Sequence, residues 1–415
     1  MFHIGKRITY LRNQHNLSQQ ILADFTFNSR GKISKIEVGS SELTLDLAQD
    51  LSNVFNVPKE YFISSRYKDE VANLSDRLFG LIIMDKESDL PMLLEKIYDL
   101  PLEQELELEL LRAAWWIKKG EIETIRPIIE NFLALFVDES NLEQFSQRQK
   151  IFFYMYAYER FYDENNLKEA YRCCIELLNL VESKTYRGSL LMKISKLSHN
   201  SHNYGQAFLE IEKALEALIE VNEPYHLARS YLIRSATCIN LKLYDEANLS
   251  LNKLFSLATE HDIRDFIALT YQHRGYILTQ SNKFSQAALH YKKALEYVEK
   301  KEALGQILNS LIKAEIKCQN YAMAKERIKE ARKIFIREYE QIILTSYEAE
   351  IYLYEGKLKE HKYRLKKSIS YFEKNKHLND MEYVYGYLAV YHAEKGHYKE
   401  ASNYFLKREG LRYES

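Results

Sequence analysis

A short helical signature returns along this chain, and it limits the fold more than any other feature. A ring is followed three residues later by a small side chain, then four residues on by an apolar one, and then by a last packing position. It reads Tyr204, Ala207, Ile211, Ala214 and then Tyr244, Ala247, Leu251, Leu254. Phe284, Ala287, Tyr291 and Ala294 follow, then Tyr321, Ala324, Ile328 and Ala331, and finally Tyr398, Ala401, Phe405 and Arg408. Weaker copies centre on Ile125, Ala170 and His361. The small-residue positions are therefore 125, 170, 207, 247, 287, 324, 361 and 401, at intervals of 45, 37, 40, 40, 37, 37 and 40 residues. Offsets of three and four put these side chains on one face of a helix. A small residue lets that helix cross a partner closely, and the ring fills the gap at the turn. One such unit cannot bury its own apolar face, so successive units must stack. The beat predicts an all-α array of eight helical hairpins, with a ninth, degenerate one around Leu90 to Tyr98.

Composition supports long helices joined by short loops. Only 13 of 415 residues are glycine and 5 are proline, against usual shares of about 7% and 5%. The 32 tyrosines and 19 phenylalanines suit interfaces between packed helices, where a ring is buried while a hydroxyl still reaches water. Formal net charge is −1, so any nucleic-acid site must be local. The four cysteines, Cys173, Cys174, Cys238 and Cys318, form no CxxC pair, which argues against a disulfide framework or a zinc site and for a reducing cytoplasm. No signal peptide or membrane span is expected, since no run approaches 18 uncharged apolar residues. Phosphate-binding, dinucleotide-binding, nucleophile-elbow and zinc-protease motifs are all missing. No enzyme activity, cofactor or metal is therefore expected. His199 and His202 read as surface histidines, and the run Glu103 to Glu109, alternating with leucine, reads as one solvated face of a helix.

The first sixty residues have a different character. Ile4, Ile8 and Leu11 share a helical face, with Lys6, Arg7 and Arg12 expected on the solvent side. Ser18 and Ser29 stand where N-caps belong, each before a short helix. The second of these helices reads Arg30 to Glu37, with Ile33 and Ile36 facing inward, Arg30, Lys32, Ser34 and Lys35 outside, and Gly39 as its stop. Residues 1–35 hold six cations against Asp24 alone, a local excess of five, whereas residues 36–62 are acidic. Segregated positive charge is what backbone-dominated nucleic-acid affinity requires.

The string "IGKRITYLRNQHNLSQQILADFTFNSRGKISKIEVG" resembles the phage-repressor-like (XRE or Cro/C1) helix-turn-helix family without a gap from Ile4 to Gly39. The resemblance implies that Ser29 to Val38 is a recognition helix lying in the major groove. It places Gln19 on a phosphate, Arg30 and Lys35 on base edges, and Lys32 and Ser34 close to backbone or base. Ile33, Ile36 and Glu37 carry over as structural, and Gly31 stands where a base-reading side chain is common. The later segment "YQHRGYILTQSNKFSQAALHYKKAL" resembles the tetratricopeptide repeat, with Gly275, Phe284, Ala287, Tyr291 and Ala294 on its consensus positions. That likeness implies a right-handed superhelix whose first helices line a concave surface. Lys196, Asn200, Arg229, Gln272, His273, Asn309 and Lys313 are the candidate ligand contacts there, because amides and cations can clamp an extended peptide backbone.

The two likenesses together resemble the RRNPP group, peptide-pheromone-responsive transcriptional regulators of Gram-positive bacteria. The expected layout is a DNA-binding domain over residues 1–63, a linker helix over 64–88, and a repeat domain for ligand sensing and dimerisation over 89–415. The resemblance implies a cytoplasmic homodimer on a pseudo-palindromic operator in double-stranded DNA, switched by a short signalling peptide. Two other readings stay open: a repeat domain that binds a protein partner such as a response regulator, or one that only dimerises a constitutive repressor.

Overall fold

The computed structural model describes residues 3–86, 99–137, 139–335 and 337–414. Among the described residues there are α-helices, short 3₁₀ turns and no strand. Five short helices open the chain: α1 (Gly5–Gln14), α2 (Gln19–Phe25), α3 (Arg30–Glu37), α4 (Leu45–Phe55) and α5 (Glu60–Ile63). A longer helix, α6 (Asp69–Ile83), follows them. Sixteen helices then alternate as first and second members of hairpins: α7 (Leu102–Lys118) with α8 (Ile122–Asn131), α9 (Gln147–Asp163) with α10 (Leu167–Leu180), and α11 (Lys184–Asn200) with α12 (Tyr204–Val221). The series continues with α13 (Pro224–Asn240), α14 (Tyr244–Glu260), α15 (Arg264–Gln280), α16 (Phe284–Tyr297), α17 (Lys301–Lys317) and α18 (Tyr321–Ile334). It closes with α19 (Glu338–Tyr354), α20 (Leu358–Asn375), α21 (Leu378–Glu394) and α22 (Tyr398–Glu414). Two compact units are present, 1–237 and 238–415. The ninth hairpin expected around residues 90–98 lies outside the described residues.

Each small-residue position is the fourth residue of a second helix, and every one is buried, from Ile125 in α8 to Ala401 in α22. Five residues earlier, each hairpin turns through a left-handed residue. These are Gly120, Asn165, His202, Lys242, Asn282, Gln319, Gly356 and Gly396. The amide of the residue after each one bonds back to the last turn of the first helix, as Asn166 N does to Phe161 O at 2.8 Å and Leu243 N to Cys238 O at 2.8 Å. That is the six-to-one closure of a Schellman motif, which satisfies the orphan carbonyls of a helix end. The recurring rings are not all core: Tyr398 and Phe405 of α22 stay exposed.

Two expectations about charge are overturned. Arg7 is wholly buried rather than solvent-facing. Its Nε donates to Glu105 Oε2 at 2.7 Å and its Nη2 to Leu100 O at 3.1 Å, while Nη1 bonds Tyr61 O. Tyr61 Oη completes the cluster by donating to Glu105 Oε1 at 2.7 Å. Lys6 reaches Leu135 O at 2.5 Å, and Arg12 pairs with Glu37 at 2.7 Å. The acidic run on α7 is likewise no solvated face, since Glu105, Glu107 and Glu109 are all buried. Arg7, Arg148 and Arg112 neutralise them, at 2.9 Å for Arg148–Glu107 and 2.8 Å for Arg112–Glu109. A helix covered on all sides can keep carboxylates only where each finds a cation or donor. Here the cations come from the opening helix, from α9 and from α7 itself.

Candidate nucleic-acid interface and ligand cleft

The opening helices hold α3 by its apolar face. Ile33 and Ile36 are buried against Leu22, Ala23 and Leu47 in one continuous core. At Gly5 an added Cβ would stand 1.9 Å from Ile36 O, so α1 and α3 meet backbone to backbone there. Ser18 Oγ accepts from Ile21 N at 3.1 Å and Ser29 Oγ from Lys32 N at 3.2 Å. Both caps stand where the sequence placed them. On the outer face Arg30 and Lys35 are exposed, and Lys32 and Ser34 are half-buried. Lys32 Nζ donates to Asn28 Oδ1 at 2.8 Å. Gln19 Nε2 donates to Glu37 Oε2 at 2.8 Å, and Glu37 also holds Arg12. Glu37 is thus a brace between helices, and Gln19 has one amide hydrogen committed to it. A Cβ at Gly31 would meet nothing within 4 Å, so packing does not demand glycine there.

The positive face is narrower than the sequence implies. Lys6, Arg7 and Arg12 spend their charge on internal partners. Arg30, Lys32 and Lys35 remain on the helix that would enter a groove. Ile21, Phe25, Phe27 and Val38 are exposed around them, Phe27 at 94% in the turn between α2 and α3.

A second site lies among the first helices of the opening hairpins. A cleft of about 390 Å³ is lined by Ile117 and Lys118 of α7, Tyr158, Glu159 and Tyr162 of α9, Lys193 and Lys196 of α11, Arg229 of α13, and Asp85. Asp85 follows the end of α6 and carries three ion pairs: with Lys193 at 2.6 Å, with Lys118 and with Arg229. Burial alone would raise its carboxyl, but those three cations hold it well below the usual carboxylate range. Burial pushes Lys118 down to about 8, with Lys193 beside it, and pushes Glu159 up. The α6 end is also tied by backbone, because Ser189 Oγ donates to Ile83 O at 2.6 Å and Lys118 Nζ bonds Ile82 O.

Of the residues read as ligand contacts, Lys196 and Arg229 come together in this cleft, and Asn200 stands exposed at the end of α11. Gln272, His273, Asn309 and Lys313 belong to the second unit. Lys313 Nζ sits over the rings of Tyr347 and Tyr383 at 5.5 and 6.0 Å, and the other three are half-buried. Sequence reasoning missed Asp85, Lys118, Glu159 and Lys193. Lys193 had a signal, since it lies one helical turn before Lys196, whereas the others depend on contacts between distant segments.

The helix-turn-helix family model matches residues 8–62. The chain is 26% identical over 212 residues to the transcriptional activator NprA of Geobacillus stearothermophilus, covering 47% of this chain and 51% of NprA. It thus spans about half the length of the curated relative it matches. Among solved structures, the ligand-free quorum sensor NprR of B. thuringiensis superposes with a TM-score of 0.70 at 16% identity, covering 83% of this chain and 99% of that one. NprR with its cognate peptide NprX gives 0.58 at 15%, covering 84% and 100%. The chain has the helical-repeat fold of these solved structures, with a helix-turn-helix matched at residues 8–62. The helix-turn-helix and the helical repeats are the two parts expected from sequence. No helix among the described residues is long and apolar enough to cross a membrane.

Proposed function

We propose that this chain is a cytoplasmic transcriptional regulator that binds double-stranded DNA through α3 and a short signalling peptide through its repeat domain. It acts as a homodimer on a pseudo-palindromic operator and is not an enzyme. The observation that carries the reading is the two-faced recognition helix: Ile33 and Ile36 locked in the core, with Arg30 and Lys35 free on the opposite side. Arginine and lysine bond the O6 and N7 acceptors of guanine, the commonest specific contact. Lys32 and Ser34 sit beside them, and Gln19 lies at the start of α2 where a phosphate is met. The likeness to NprR, solved with its cognate peptide, supports a peptide as the ligand of the repeats. The cation-lined cleft on the first helices supplies a place for one end of it, and Gln272, His273, Asn309 and Lys313 are the contacts proposed in the second unit.

The DNA part is tested by selecting duplexes from a random pool with the full-length protein and remeasuring affinity with R30A/K35A. Each bidentate base contact contributes about 1–3 kcal/mol of discrimination. The double variant should lose preference for the selected sequence by at least roughly tenfold and keep its helical circular-dichroism signal and melting behaviour. Retained preference in a folded double variant would remove α3 as the reading element.

A further inference from the structure

A side chain of the protein itself fills the cation cluster of the cleft. Asp85 comes from the end of α6 rather than from the helices that form the walls, and it holds a left-handed φ of +47°. It is the closing left-handed residue of α6, where Lys86 N bonds back to Leu81 O at 3.0 Å, a conformation in which aspartate is at ease. The three cations that face it come from three different first helices: Lys118 from α7, Lys193 from α11 and Arg229 from α13. Lys196 brings a fourth to the same wall, over the ring of Tyr162 at 5.0 Å. Beside them Glu159 is buried, 4.0 Å from Lys118, with Oε1 making no hydrogen bond. Four cations thus line the cleft against three carboxylates, Asp85, Glu159 and Asp163, a formal surplus of one positive charge beside an unsatisfied acceptor on Glu159.

We infer that this cluster is a carboxylate subsite of the peptide site, in which Asp85 stands in for a carboxylate of the ligand and is displaced by it. The inference rests on the peptide reading above. A ligand carboxylate inherits the ion pairs that Asp85 gives up, so the exchange costs little electrostatically, and Asp85 moves into water. An N–H of the same ligand satisfies Glu159. Displacement removes the side-chain tether at the end of α6, the helix between the opening domain and the repeats, and leaves only the backbone ties from Ser189 and Lys118. The carboxylate is either the peptide's C-terminus or an acidic side chain, and the two have the same chemistry at this site.

The test uses the full-length protein, with acetate as the first probe. Asp85→Gly empties the cluster and suits the left-handed backbone, and Asp85→Asn keeps the shape without the charge. Acetate should raise the melting temperature of D85G saturably, against chloride at matched ionic strength, and leave wild type unmoved. Adding Lys193→Met to D85G should abolish the response. An equal acetate effect on wild type and D85G, or one indifferent to Lys193→Met, overturns the subsite. Synthetic peptides encoded immediately downstream of the gene form the second arm, each as free acid and as C-terminal amide. Tighter binding to D85G and D85N than to wild type, by roughly tenfold, supports displacement. Loss of that gain on amidation assigns the C-terminus, and loss on replacing an acidic side chain assigns that residue. Peptides that bind all three proteins equally overturn the subsite while the peptide reading stands. An acetate response specific to D85G with no peptide binding at all keeps the subsite and sinks the peptide reading instead.

Discussion

His226 is fully buried on α13, and neither ring nitrogen has a hydrogen-bond partner. Burial pushes its pKa down to about 4, so the native state favours the neutral ring. Above pH 6.5 the ring is neutral folded or unfolded, and its full contribution is present. As pH falls from 6.5 towards 4, the unfolded chain takes up a proton that the native chain refuses, and stability drops by up to about 3 kcal/mol. His226→Leu should flatten that part of the acid limb, read as the difference in urea midpoints between pH 7 and pH 4.5. An unchanged difference would show that the ring is hydrated in solution. Arg7 makes the opposite kind of contribution. Arg7→Met strands Glu105 as an uncompensated buried charge, which typically costs about 3–5 kcal/mol. Removing both partners, in Arg7→Met with Glu105→Leu, should cost clearly less than the sum of the single changes, as a double-mutant cycle in urea will show. Strict additivity would mean that the pair is not formed.

The hairpin turns give the clearest prediction for an element. Lys242 and Gln319 hold φ of +61°, where glycine, asparagine or aspartate is at ease. Lys242→Gly and Gln319→Gly should each raise stability, by up to about 1 kcal/mol after the entropy glycine adds to the unfolded chain. Gly120→Ala should lower it, and urea midpoints of the three variants check the signs. The turns also explain what could be read in advance. The register of the second helices was legible because a close helix crossing demands a small side chain, and Ala207, Ala247, Ala287 and Ala324 announce it. The left-handed position five residues earlier was not, because it is a backbone demand that lysine, histidine or glutamine can meet at a cost. The caps Ser18 and Ser29 were legible as local chemistry. The buried fate of Glu105 and Glu107 was not, since their cations lie 98 and 41 residues away at Arg7 and Arg148. Alternating leucine and glutamate over several turns spreads apolar residues around a helix, and that pattern was itself a sign of all-round burial. Asp85 was invisible for the same reason as Glu105: its partners sit on three helices far along the chain.

Within the first unit the opening domain is seated on the first repeats rather than tethered beside them. Arg7 and Tyr61 bond Glu105 of α7, Lys6 bonds Leu135 O, and the rings of Tyr10 and Phe132 meet edge to face at 5.3 Å. Held this way, α3, the proposed recognition helix, follows any shift of α7. Two copies in a dimer must present their helices about 34–36 Å apart, or at multiples of that, to read paired half-sites. On the proposed reading, a ligand that reorganises the cleft on α7, α9, α11 and α13 changes DNA affinity without touching DNA. The decisive measurement is the affinity of the full-length protein for its selected duplex, by fluorescence anisotropy at fixed salt, with and without each downstream-encoded peptide that raises its melting temperature. The account predicts that at least one such peptide changes the dissociation constant about fivefold or more, the usual span of a coupling free energy of roughly 1–3 kcal/mol. Peptides that stabilise the protein yet leave DNA affinity unchanged would contradict it.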